Sequence, residues 1–593
     1  MARMKGAELI TEFLVDEGVP YVFGLCGHGN VGMLDALYDA SDRIRLISPR
    51  HEQTAGHMAD AYFRVRHEAV ATLTSCGPGS ANLVMSLACA LADSSALLAI
   101  TANVPTQQAD RAPFQEINRH NQSDFPSVLR PVVKRSFQAP RVEMLPLLLD
   151  HAMTTATSGR PGPVNLDVPF NVFQESAEVD VPKASRHGIS RRPGAAPEDV
   201  AQLADLLLAA KRPAVFIGHG VTLSEASQEL RALVHRLSLP VLSSPNGMGC
   251  LAMDDPLSLG FIGRNGTYPA NQAGRHADLV LALGARFDDR SSSSWIPGYS
   301  WNIPPTRLIH VDIDIAEIGR NYAPTLGIAA DVRTLLRQVL AELDARAVDQ
   351  APRLQEWLGE INGWRQEWEA EVRPNFGLHT SPIRPERIVE DVRLVLPDDA
   401  ILALDSGVHH NWFMQFWTAR QPQTMLNSWG FSAMGFGVSG ILGAKLAAPD
   451  RPCVAVVGDG GFTMTPHVLC TAVEYEIPAV WVIWNNFTWG AIRDIQLGMF
   501  DGREIGTSFT RNPNNEPYNP DFAALARAHG VDGVTVTESR DFKEALDVAV
   551  RSGKPYVLDV HVDANVRPPA TGTWQLPPTP YREPGFGKAY LPD

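Results

Sequence analysis

The sequence predicts an α/β protein made of three consecutive doubly wound domains, each built on a parallel β-sheet. Its 593 residues suffice for three or four compact units of ordinary size. Short β-branched runs alternate with helical patterns along the whole chain, which is typical of parallel sheets covered by helices. Two breaks in this alternation, near residues 182–197 and 354–385, divide the chain into thirds.

Each predicted sheet depends on a few short apolar runs. In the first third these are 21–24, 44–48, 69–74, 97–101 and 164–168; in the middle third 214–218, 278–284 and 307–312; in the last third 400–404, 453–457, 480–484 and 556–560. A Trp- and Glu-rich helical pattern at 354–372 and a Pro-containing stretch at 381–385 mark the second join. We therefore expect domains over 1–182 (N-terminal), 196–345 (central) and 380–566 (C-terminal), followed by a Pro- and Gly-rich tail over 567–593.

The composition is that of a soluble globular protein, with 45% hydrophobic and 20% charged residues. Lys and Arg total 51 and Asp and Glu total 66, so the formal net charge is −15, and no dense basic stretch offsets it. We therefore expect neither a nucleic acid nor an anionic membrane surface as a partner. The longest apolar runs are strand-sized and well short of a membrane span of ~20 residues.

The N-terminus and the cysteines indicate a reducing compartment inside the cell. The first residues continue directly into an amphipathic helical pattern rather than into the apolar stretch of a signal peptide. No Cys-x-x-Cys pair occurs among the six cysteines, which are Cys26, Cys76, Cys89, Cys250, Cys453 and Cys470. They are expected to be free thiols, and the protein is expected to be cytoplasmic.

Two polar motifs follow predicted strands of the last third. Gly458-Asp459-Gly460 comes directly after the strand at 453–457, and Asn485-Asn486 comes after the strand at 480–484. Parallel strands would bring both motifs to the carboxyl edge of one sheet, where open α/β sheets bind ligands. One carboxylate, one amide and backbone carbonyls suit Mg²⁺ together with diphosphate oxygens, and the glycines allow phosphates to approach the backbone. Either motif alone would be interpreted more simply as a turn.

The separation of these two motifs resembles the signature of thiamine-diphosphate-dependent enzymes. The resemblance extends over nearly the whole chain and is greatest to the acetohydroxyacid (acetolactate) synthase branch. It implies an N-terminal pyrimidine-binding domain, a middle domain and a C-terminal diphosphate-binding domain. It also implies that Asp459, Asn486 and the backbone carbonyl of Thr488 hold Mg²⁺, with Gly458 and Gly460 next to the diphosphate.

Glu52 is the catalytic residue that the resemblance supports best. It follows the strand at 44–48 and begins a helical pattern. In the synthases a Glu at this place hydrogen-bonds N1′ of the aminopyrimidine, so that the 4′-nitrogen can act as a base toward the thiazolium C2 proton. A buried carboxyl suits this role, although a Glu in the first turn of a helix is often explained by the helix dipole alone.

A second stretch, residues 429–437, resembles the synthase segment that bends the cofactor. The resemblance implies that the side chain of Met434 supports the cofactor and that the carbonyl of Ser432 accepts a hydrogen bond from its 4′-amino group. A Met among glycines is otherwise a common filler of core space. His409 corresponds to a synthase His near the diphosphate, although its neighbours Val408 and His410 differ from the usual pattern.

The middle third is predicted to bind FAD. Residues 283–290 and 310–319 are similar to synthase-specific sequences, and in that branch the flavin is structural. Glycines after strands permit close approach of a nucleotide diphosphate, an arginine can pair with its charge, and acidic residues can accept from ribose or adenine. A Gly-x-Gly after a strand is otherwise merely a turn. The residues expected to bind FAD are Gly218, Gly220, Gly284, Arg286, Asp312 and Asp331.

The chain departs from the synthase pattern at residue 28. The synthases have two adjacent glycines after the first strand, whereas this chain reads Gly27-His28-Gly29. An imidazole there could position water or move a proton near the thiazolium, and similar segments occur in two hydrolytic branches that act on cyclic diketones. The alternative is a structural histidine.

The predicted substrate residues also include a departure. Arg290 matches the synthase Arg that meets the carboxylate of the second keto acid, for which a surface salt bridge is the alternative. Gln115 matches a loop residue near the substrate. Ile495 stands where synthases have a Trp that favours a 2-ketobutyrate acceptor, and Trp489 could fill some of that space. An altered substrate is therefore expected.

We expect an enzyme that cleaves a C–C bond of a 2-keto acid or diketone and transfers the enamine to a second carbonyl. The alternatives are a thiamine-dependent C–C hydrolase of a cyclic 1,2-diketone and a catalytically silent cofactor-binding protein. Because family members complete the cofactor site across a subunit interface, a homodimer or homotetramer is expected. The expected cofactors are thiamine diphosphate, Mg²⁺ and FAD.

Overall fold

Three six-stranded parallel sheets form the framework of the protein. The structure is a computed structural model, and it describes residues 2–116, 124–183, 192–348, 354–512 and 514–569. Most of the predicted tail, residues 570–593, therefore lies outside the described residues, as do residues 184–191 of the first predicted break. No helix within the described ranges is long and apolar enough to cross a membrane.

The N-terminal domain contains the first of these sheets. Its strands are β1 (Ala2–Lys5), β2 (Tyr21–Gly24), β3 (Arg45–Ile47), β4 (Val70–Thr74), β5 (Leu97–Asn103), β6 (Arg135–Gln138), β7 (Val164–Pro169) and β8 (Ser176–Val179). Its helices are α1 (Gly6–Asp16), α2 (Val31–Asp39), α3 (Glu52–Arg66), α4 (Pro78–Ala81), α5 (Val84–Ala92), α6 (Leu145–Thr157) and α7 (Phe170–Gln174). The order across the sheet is β3-β2-β4-β5-β7-β6, and β1 pairs with β8 in a separate antiparallel ribbon.

The central domain has a different strand order. Its strands are β9 (Pro213–Ile217), β10 (Val241–Ser243), β11 (Ser258–Phe261), β12 (Leu279–Leu283), β13 (Arg307–Asp312) and β14 (Leu326–Ala329). Its helices are α8 (Pro197–Ala209), α9 (His219–Leu223), α10 (Ser227–Leu237), α11 (Tyr268–His276) and α12 (Val332–Ala345). The order is β11-β10-β9-β12-β13-β14, so β10 and β11 are added on one side of β9, and β12 to β14 on the other.

The C-terminal domain repeats the order of the first. Its strands are β15 (Ile401–Leu404), β16 (Met425–Asn427), β17 (Cys453–Gly458), β18 (Val480–Asn485), β19 (Thr510–Arg511), β20 (Glu516–Pro517), β21 (Asp532–Val536) and β22 (Tyr556–His561). The helices from the second join onward are α13 (Gln355–Phe376), α14 (Pro385–Val395), α15 (Val408–Phe416), α16 (Phe436–Ala447), α17 (Asp459–Met464), α18 (Val468–Glu474), α19 (Gly490–Met499), α20 (Phe522–Ala528) and α21 (Ser539–Arg551). The order is β16-β15-β17-β18-β22-β21, and β19 and β20 form a small antiparallel hairpin.

The predicted fold class is confirmed, and every predicted strand is present to within two residues at each end. The sequence analysis missed six strands of the three sheets, namely β6, β10, β11, β14, β16 and β21. Five of these lie at a sheet edge, and β10 has only three residues. Edge strands are covered on fewer sides, so they lack the continuous apolar run that marks a buried parallel strand. The predicted domain bounds stay a prediction.

Helix α3 joins the N-terminal domain to the C-terminal domain. It is buried from Thr54 to Val65 and packs along α16. A Cβ at Gly443 would lie 2.0 Å from the carbonyl oxygen of Met58, so a glycine is required where the two helices touch. The same apolar core cluster contains residues of both domains. Because Glu52 begins α3, its position is fixed by this helix pair.

A buried charge network connects all three domains. Arg64 of α3 donates to both carboxylate oxygens of Asp60 at 2.7 and 3.0 Å and to Asp93 at 3.2 Å. The other carboxylate oxygen of Asp93 accepts from the backbone N–H of Gly430 at 3.0 Å and from the Asn246 amide at 3.3 Å. Asp93 therefore holds one residue from each of three domains.

Removing one partner from this network is predicted to destabilise the protein strongly. Asp93→Ala leaves Arg64 partly uncompensated and Gly430 without its acceptor, and loss of one partner of a buried pair costs about 3–5 kcal/mol. Glu68→Ala is the matched control, since Glu68 pairs with Arg66 at 3.3 Å with both side chains half exposed and is worth about 1 kcal/mol or less. Urea and thermal midpoints measure both. Equal shifts for the two variants would contradict a structural role for Asp93.

Candidate active site

The candidate site residues lie at the point in each sheet where successive strands begin to be added on the opposite side. Such switch points leave a crevice outside the carboxyl ends of the strands, which is where doubly wound sheets bind ligands. In the C-terminal domain the switch lies between β15 and β17, which are followed by Asp405 and Asp459. In the N-terminal domain it lies between β2 and β4, and in the central domain between β9 and β12.

Asp459 is buried at the start of α17, with 2% of its surface exposed. One carboxylate oxygen accepts from the backbone N–H of Phe487 at 2.7 Å and from the Asn519 amide at 2.8 Å; the other accepts from the N–H of Gly460 at 2.9 Å. Burial raises the pKa of Asp459 to about 6. Among the described residues, none of these partners carries a positive charge. A buried carboxylate with only neutral donors suits a cation such as Mg²⁺.

The loop after β18 brings the other two predicted metal residues to the same place. Asn486 and Thr488 are both buried, and Phe487 between them adopts a positive φ of 57°. The Thr488 hydroxyl donates to the carbonyl of Thr507 at 2.7 Å, which fixes the loop. Because the N–H of Phe487 donates to Asp459, the structure brings Asp459 and this loop together as the sequence predicts.

Asn519 is a residue that the sequence analysis missed. Its amide donates both to Asp459 at 2.8 Å and to the side-chain oxygen of Asn485 at 2.7 Å. It therefore connects the two polar motifs. No motif surrounds it, and it is 60 residues from Asp459 along the chain. Only the folded chain shows this contact.

His409 lies beside the glycine that precedes Asp459. Its ring is buried, and its carbon Cε1 would lie 3.6 Å from a Cβ at Gly458. Burial lowers the pKa of His409 to about 4, so the ring is neutral at neutral pH. Its Nε2 is buried and has no hydrogen-bond partner. An orphaned ring nitrogen beside the Gly-Asp-Gly turn fits the predicted contact with a diphosphate.

Asp405 organises the 429–437 segment and was also missed. Its carboxylate accepts from the backbone N–H groups of Gly435, at 2.9 and 3.1 Å, and Gly437, at 3.0 Å. Gly435 has a φ of 97°, a left-handed conformation that favours glycine. The two residues predicted to touch the cofactor, Ser432 and Met434, are both half-buried on this segment. Their exposure is compatible with ligand contact.

Glu52 is half-buried in the single chain. One of its oxygens accepts from the Asn82 amide at 2.9 Å, and the other would lie 3.2 Å from a Cβ at Gly79. The next residue, Gln53, approaches Gly435: its amide nitrogen would lie 3.3 Å from a Cβ there. The start of α3 therefore lies close to the start of α16.

His28 and Gln115 lie in the loops that follow β2 and β5, respectively. His28 begins a single 3₁₀ turn after β2, and its imidazole is exposed. Its Nε2 lies 3.6 Å from Cys76 Sγ, and the same sulfur lies 3.6 Å from the side-chain oxygen of Gln115. The structure thus brings His28 and Gln115 together through Cys76, which had been considered only as a free thiol.

Arg290 is not part of a surface salt bridge. Its guanidinium stacks on the ring of Trp429 at 3.8 Å and donates to Asn411 at 3.2 Å. Burial, together with the nearby Arg264, lowers the pKa of Arg290 to about 9. No carboxylate of the described residues forms an ion pair with it. A cation held in this way can bind an anionic substrate group.

Trp489 directly precedes α19, and Ile495 lies in the middle of this helix. The Trp489 ring would lie 2.2 Å from a Cβ at Gly460 and makes an edge contact with Phe509 at 5.1 Å. It therefore packs on the Gly458-Asp459-Gly460 turn and does not occupy free space. Ile495 is half-buried on α19, none of whose residues is fully buried.

A cavity of about 370 Å³ opens at the switch point of the central domain. All six residues predicted to bind FAD line it: Gly218, Gly220, Gly284, Arg286, Asp312 and Asp331. Burial raises the pKa of Asp312 to about 6. Asp331 already accepts from the N–H of Thr334 at 2.9 Å and so caps α12.

The glycines of this cavity have a role that the sequence did not show. A Cβ at Gly218 would lie 2.0 Å from the carbonyl oxygen of Gly284, and one at Gly220 would lie 2.6 Å from its Cα. The loops after β9 and β12 therefore touch each other directly. Their glycines are required first by this contact and then by any close approach of a ligand.

Comparison with known proteins accounts for all three domains. Three thiamine pyrophosphate enzyme family profiles match the chain: the N-terminal TPP binding domain at residues 4–124, the central domain at 200–339 and the C-terminal TPP binding domain at 405–560.

Several full-length relatives are acetolactate synthases by name. A probable acetolactate synthase large subunit of Methanocaldococcus jannaschii is 35% identical over 97% of this chain and 94% of that protein. The acetolactate synthase isozyme 3 large subunit of Escherichia coli is 31% identical over 95% and 96%. The chloroplastic acetolactate synthase of Arabidopsis thaliana is 33% identical over 94% and 81%.

Proposed function

This chain belongs to the thiamine pyrophosphate enzymes and is acetolactate-synthase-like, and from that membership we propose which reaction it catalyses. The enzyme would break the C–C bond next to the carbonyl of a 2-keto acid and join the retained acyl fragment to a second carbonyl compound. Arg290 carries this proposal, because it is a guanidinium without a carboxylate partner among the described residues, stacked on the first residue of the 429–437 segment.

The proposed cofactor assembly is thiamine diphosphate with Mg²⁺. Thiamine diphosphate supplies, when bound, the electron sink that amino acid side chains lack. Asp459, Asn486 and the carbonyl of Thr488 would hold the metal, and His409 would lie against the diphosphate. The neutral surroundings of Asp459 and the orphaned Nε2 of His409 support this assignment.

The remaining steps are assigned to residues of this chain. Glu52 would hold a proton at the aminopyrimidine ring, and Asn82 would orient its carboxylate. Arg290 would bind a substrate carboxylate and so select keto acids over neutral carbonyl compounds. Ile495 is smaller than the Trp of the synthases, so we infer a wider acceptor range. None of the relatives named above is a diketone hydrolase by name, so they give no support to hydrolysis as the function.

We propose that the central cavity binds FAD in a structural role. It lies at a switch point, and it is lined by three arginines, Arg160, Arg192 and Arg286, and by the buried carboxylate of Asp312, which can accept from a ribose hydroxyl. Arg286 is half-buried and lies 3.9 Å from Asp93. It is therefore held near the cavity even before a ligand arrives.

We also propose a homodimer or homotetramer. Large apolar side chains around the candidate site are exposed in the single chain: Phe431 at 52%, Met464 at 50% and Met85 at 42%. Phe431 lies on the 429–437 segment, Met464 ends the helix that begins at Asp459, and Met85 contacts Gln53. A second chain covering this face would bury them and would also desolvate Glu52.

Two substitutions are expected to separate cofactor binding from cofactor activation. Glu52→Ala should still bind thiamine diphosphate with Mg²⁺ but lose most exchange of the C2 proton, because the proton relay is removed while the metal residues remain. Asp459→Ala should instead lose Mg²⁺-dependent binding, because it deletes the charged metal ligand. Calorimetry and quenched hydrogen–deuterium exchange measure the two properties. Wild-type exchange in Glu52→Ala, or wild-type affinity in Asp459→Ala, would contradict the assignment.

Flavin content tests the central cavity. The purified protein should release one flavin per chain on denaturation, and Arg286→Ala should lower flavin retention during dialysis, because it removes a cation that lines the cavity. Arg337→Ala is the matched control, since Arg337 is 60% exposed, pairs with Glu229 and does not line the cavity. Absorbance of the released flavin measures both. A protein that neither contains nor takes up FAD would refute the proposal.

His28→Ala tests whether the imidazole acts in the reaction. C2 exchange should remain nearly intact, while turnover falls by roughly the 10²–10⁴-fold associated with one acid–base group. His151→Ala, at an exposed position of the same domain, is the control. Product analysis with pyruvate shows whether the loss affects carboligation or release of a hydrolysed product. Wild-type turnover and products with reduced thermal stability would make His28 structural.

A further inference from the structure

The loop that carries His28 lies directly on the residues that follow β4. A Cβ at Gly27 would lie 2.4 Å from the Cβ of Ser75, and a Cβ at Gly29 would lie 3.2 Å from Cys76 Sγ. The N–H of Gly29 donates to the Ser75 hydroxyl at 3.3 Å. Glycine on both sides of His28 is therefore what allows the imidazole to reach Cys76.

The loop that carries Gln115 is pressed onto the same turn from the other side. Gly77 has a φ of 56°, and a Cβ there would lie 2.1 Å from the carbonyl oxygen of Gln115. Cys76, which is 2% exposed, thus lies between two side chains, with its sulfur 3.6 Å from each polar atom. Sulfur hydrogen bonds are longer than those of oxygen, so both distances are bonding distances.

The number of protons on the sulfur determines the direction of both hydrogen bonds. Burial raises the pKa of the Cys76 thiol, so it carries its single proton at neutral pH. The side-chain oxygen of Gln115 can only accept, so the thiol donates to it. Toward His28 the sulfur then offers only a lone pair. An uncharged imidazole can bond to it only through Nε2–H, which leaves Nδ1 without a proton.

We propose that Cys76 is a positioning residue that holds His28 as its Nε2–H tautomer, so that Nδ1 is the proton acceptor of the active site. The inference rests on the proposed function and on the hypothesis, tested above with His28→Ala, that the imidazole acts in the reaction. Phe114 supports the arrangement from the outside, since its ring lies 5.6 Å from the imidazole and is itself 76% exposed. The imidazole is thus held between a thiol and a phenyl ring.

The tautomer can be measured without any activity assay. Solid-state ¹⁵N NMR of the full chain labelled at histidine distinguishes Nδ1 from Nε2 protonation, and loss of a signal in His28→Asn assigns it. Wild type should show Nε2–H, Cys76→Ala should show both tautomers, and Cys76→Ser should restore Nε2–H because a hydroxyl can make the same two bonds. An Nδ1–H signal in wild type, or no change in Cys76→Ala, would overturn the inference. The first result would mean that the Gln115 amide donates to the sulfur. The second would mean that the contact with Cys76 does not set the tautomer.

Kinetics provides the second measurement. Cys76→Ala should lower kcat with pyruvate on the order of tenfold, less than the loss from removing the imidazole itself, and shift the acid limb of the pH profile. Cys76→Ser should recover most of the rate, and Cys26→Ala, an exposed cysteine in the same loop, should match wild type. A Cys76→Ala profile identical to wild type would overturn the inference. If wild type itself shows neither C2 exchange nor carboligation, the proposed function fails, and the NMR result decides the tautomer on its own.

Discussion

The guanidinium of Arg64, buried between the carboxylates of Asp60 and Asp93, connects helix α3 of the N-terminal domain to both other domains. The positions of the candidate site residues depend on this contact. Arg64 is almost at the end of α3, and Glu52 begins the same helix, so anchoring one end fixes the other. Asp93, the second partner of Arg64, also accepts from Gly430, the second residue of the segment that carries Ser432 and Met434. Burying three charges is tolerated because each finds a hydrogen-bonded partner. Glu52, which we propose as the catalytic carboxylate, and the 429–437 segment are thus positioned by one network.

Each of the three sheets has one switch point in its strand order, and the side chains at the three switch points differ. Each leaves a crevice where its strand order reverses, and different side chains occupy the three crevices. The C-terminal crevice contains carboxylates and amides suited to a metal and a diphosphate, with Asp459 at its centre. The N-terminal crevice contains an imidazole, a thiol and an amide around Cys76. The central crevice contains glycines, Arg286 and Asp312 around a cavity. The three domains therefore present different side chains at the same topological position although their architecture is shared.

The residues that the sequence analysis missed have a common physical explanation. Asp405, Asn519 and Cys76 each act on an element that is distant along the chain: Asp405 on the turn at Gly435, Asn519 on Asp459, and Cys76 on His28. None lies in a motif with a recognisable spacing. Their partners become visible only when strands that are separated in sequence lie side by side, because a hydrogen bond needs atoms within about 3–4 Å and no local pattern specifies that distance.

The sequence by itself determined the fold class and most of the inner strands of each sheet, and it brought out the residues that we propose as metal ligands, because these depend on local apolar runs and on turns that follow them. His28 and Ile495 were also identified from the chain alone, as departures from the synthase pattern. Only the tertiary structure decided which residues act on one another. It showed that Glu52 is half-buried, that Arg290 stacks on Trp429 without a carboxylate partner among the described residues, and that the cavity glycines first serve a loop contact. Burial and contact are set by packing between distant elements, and packing is a property of the folded chain.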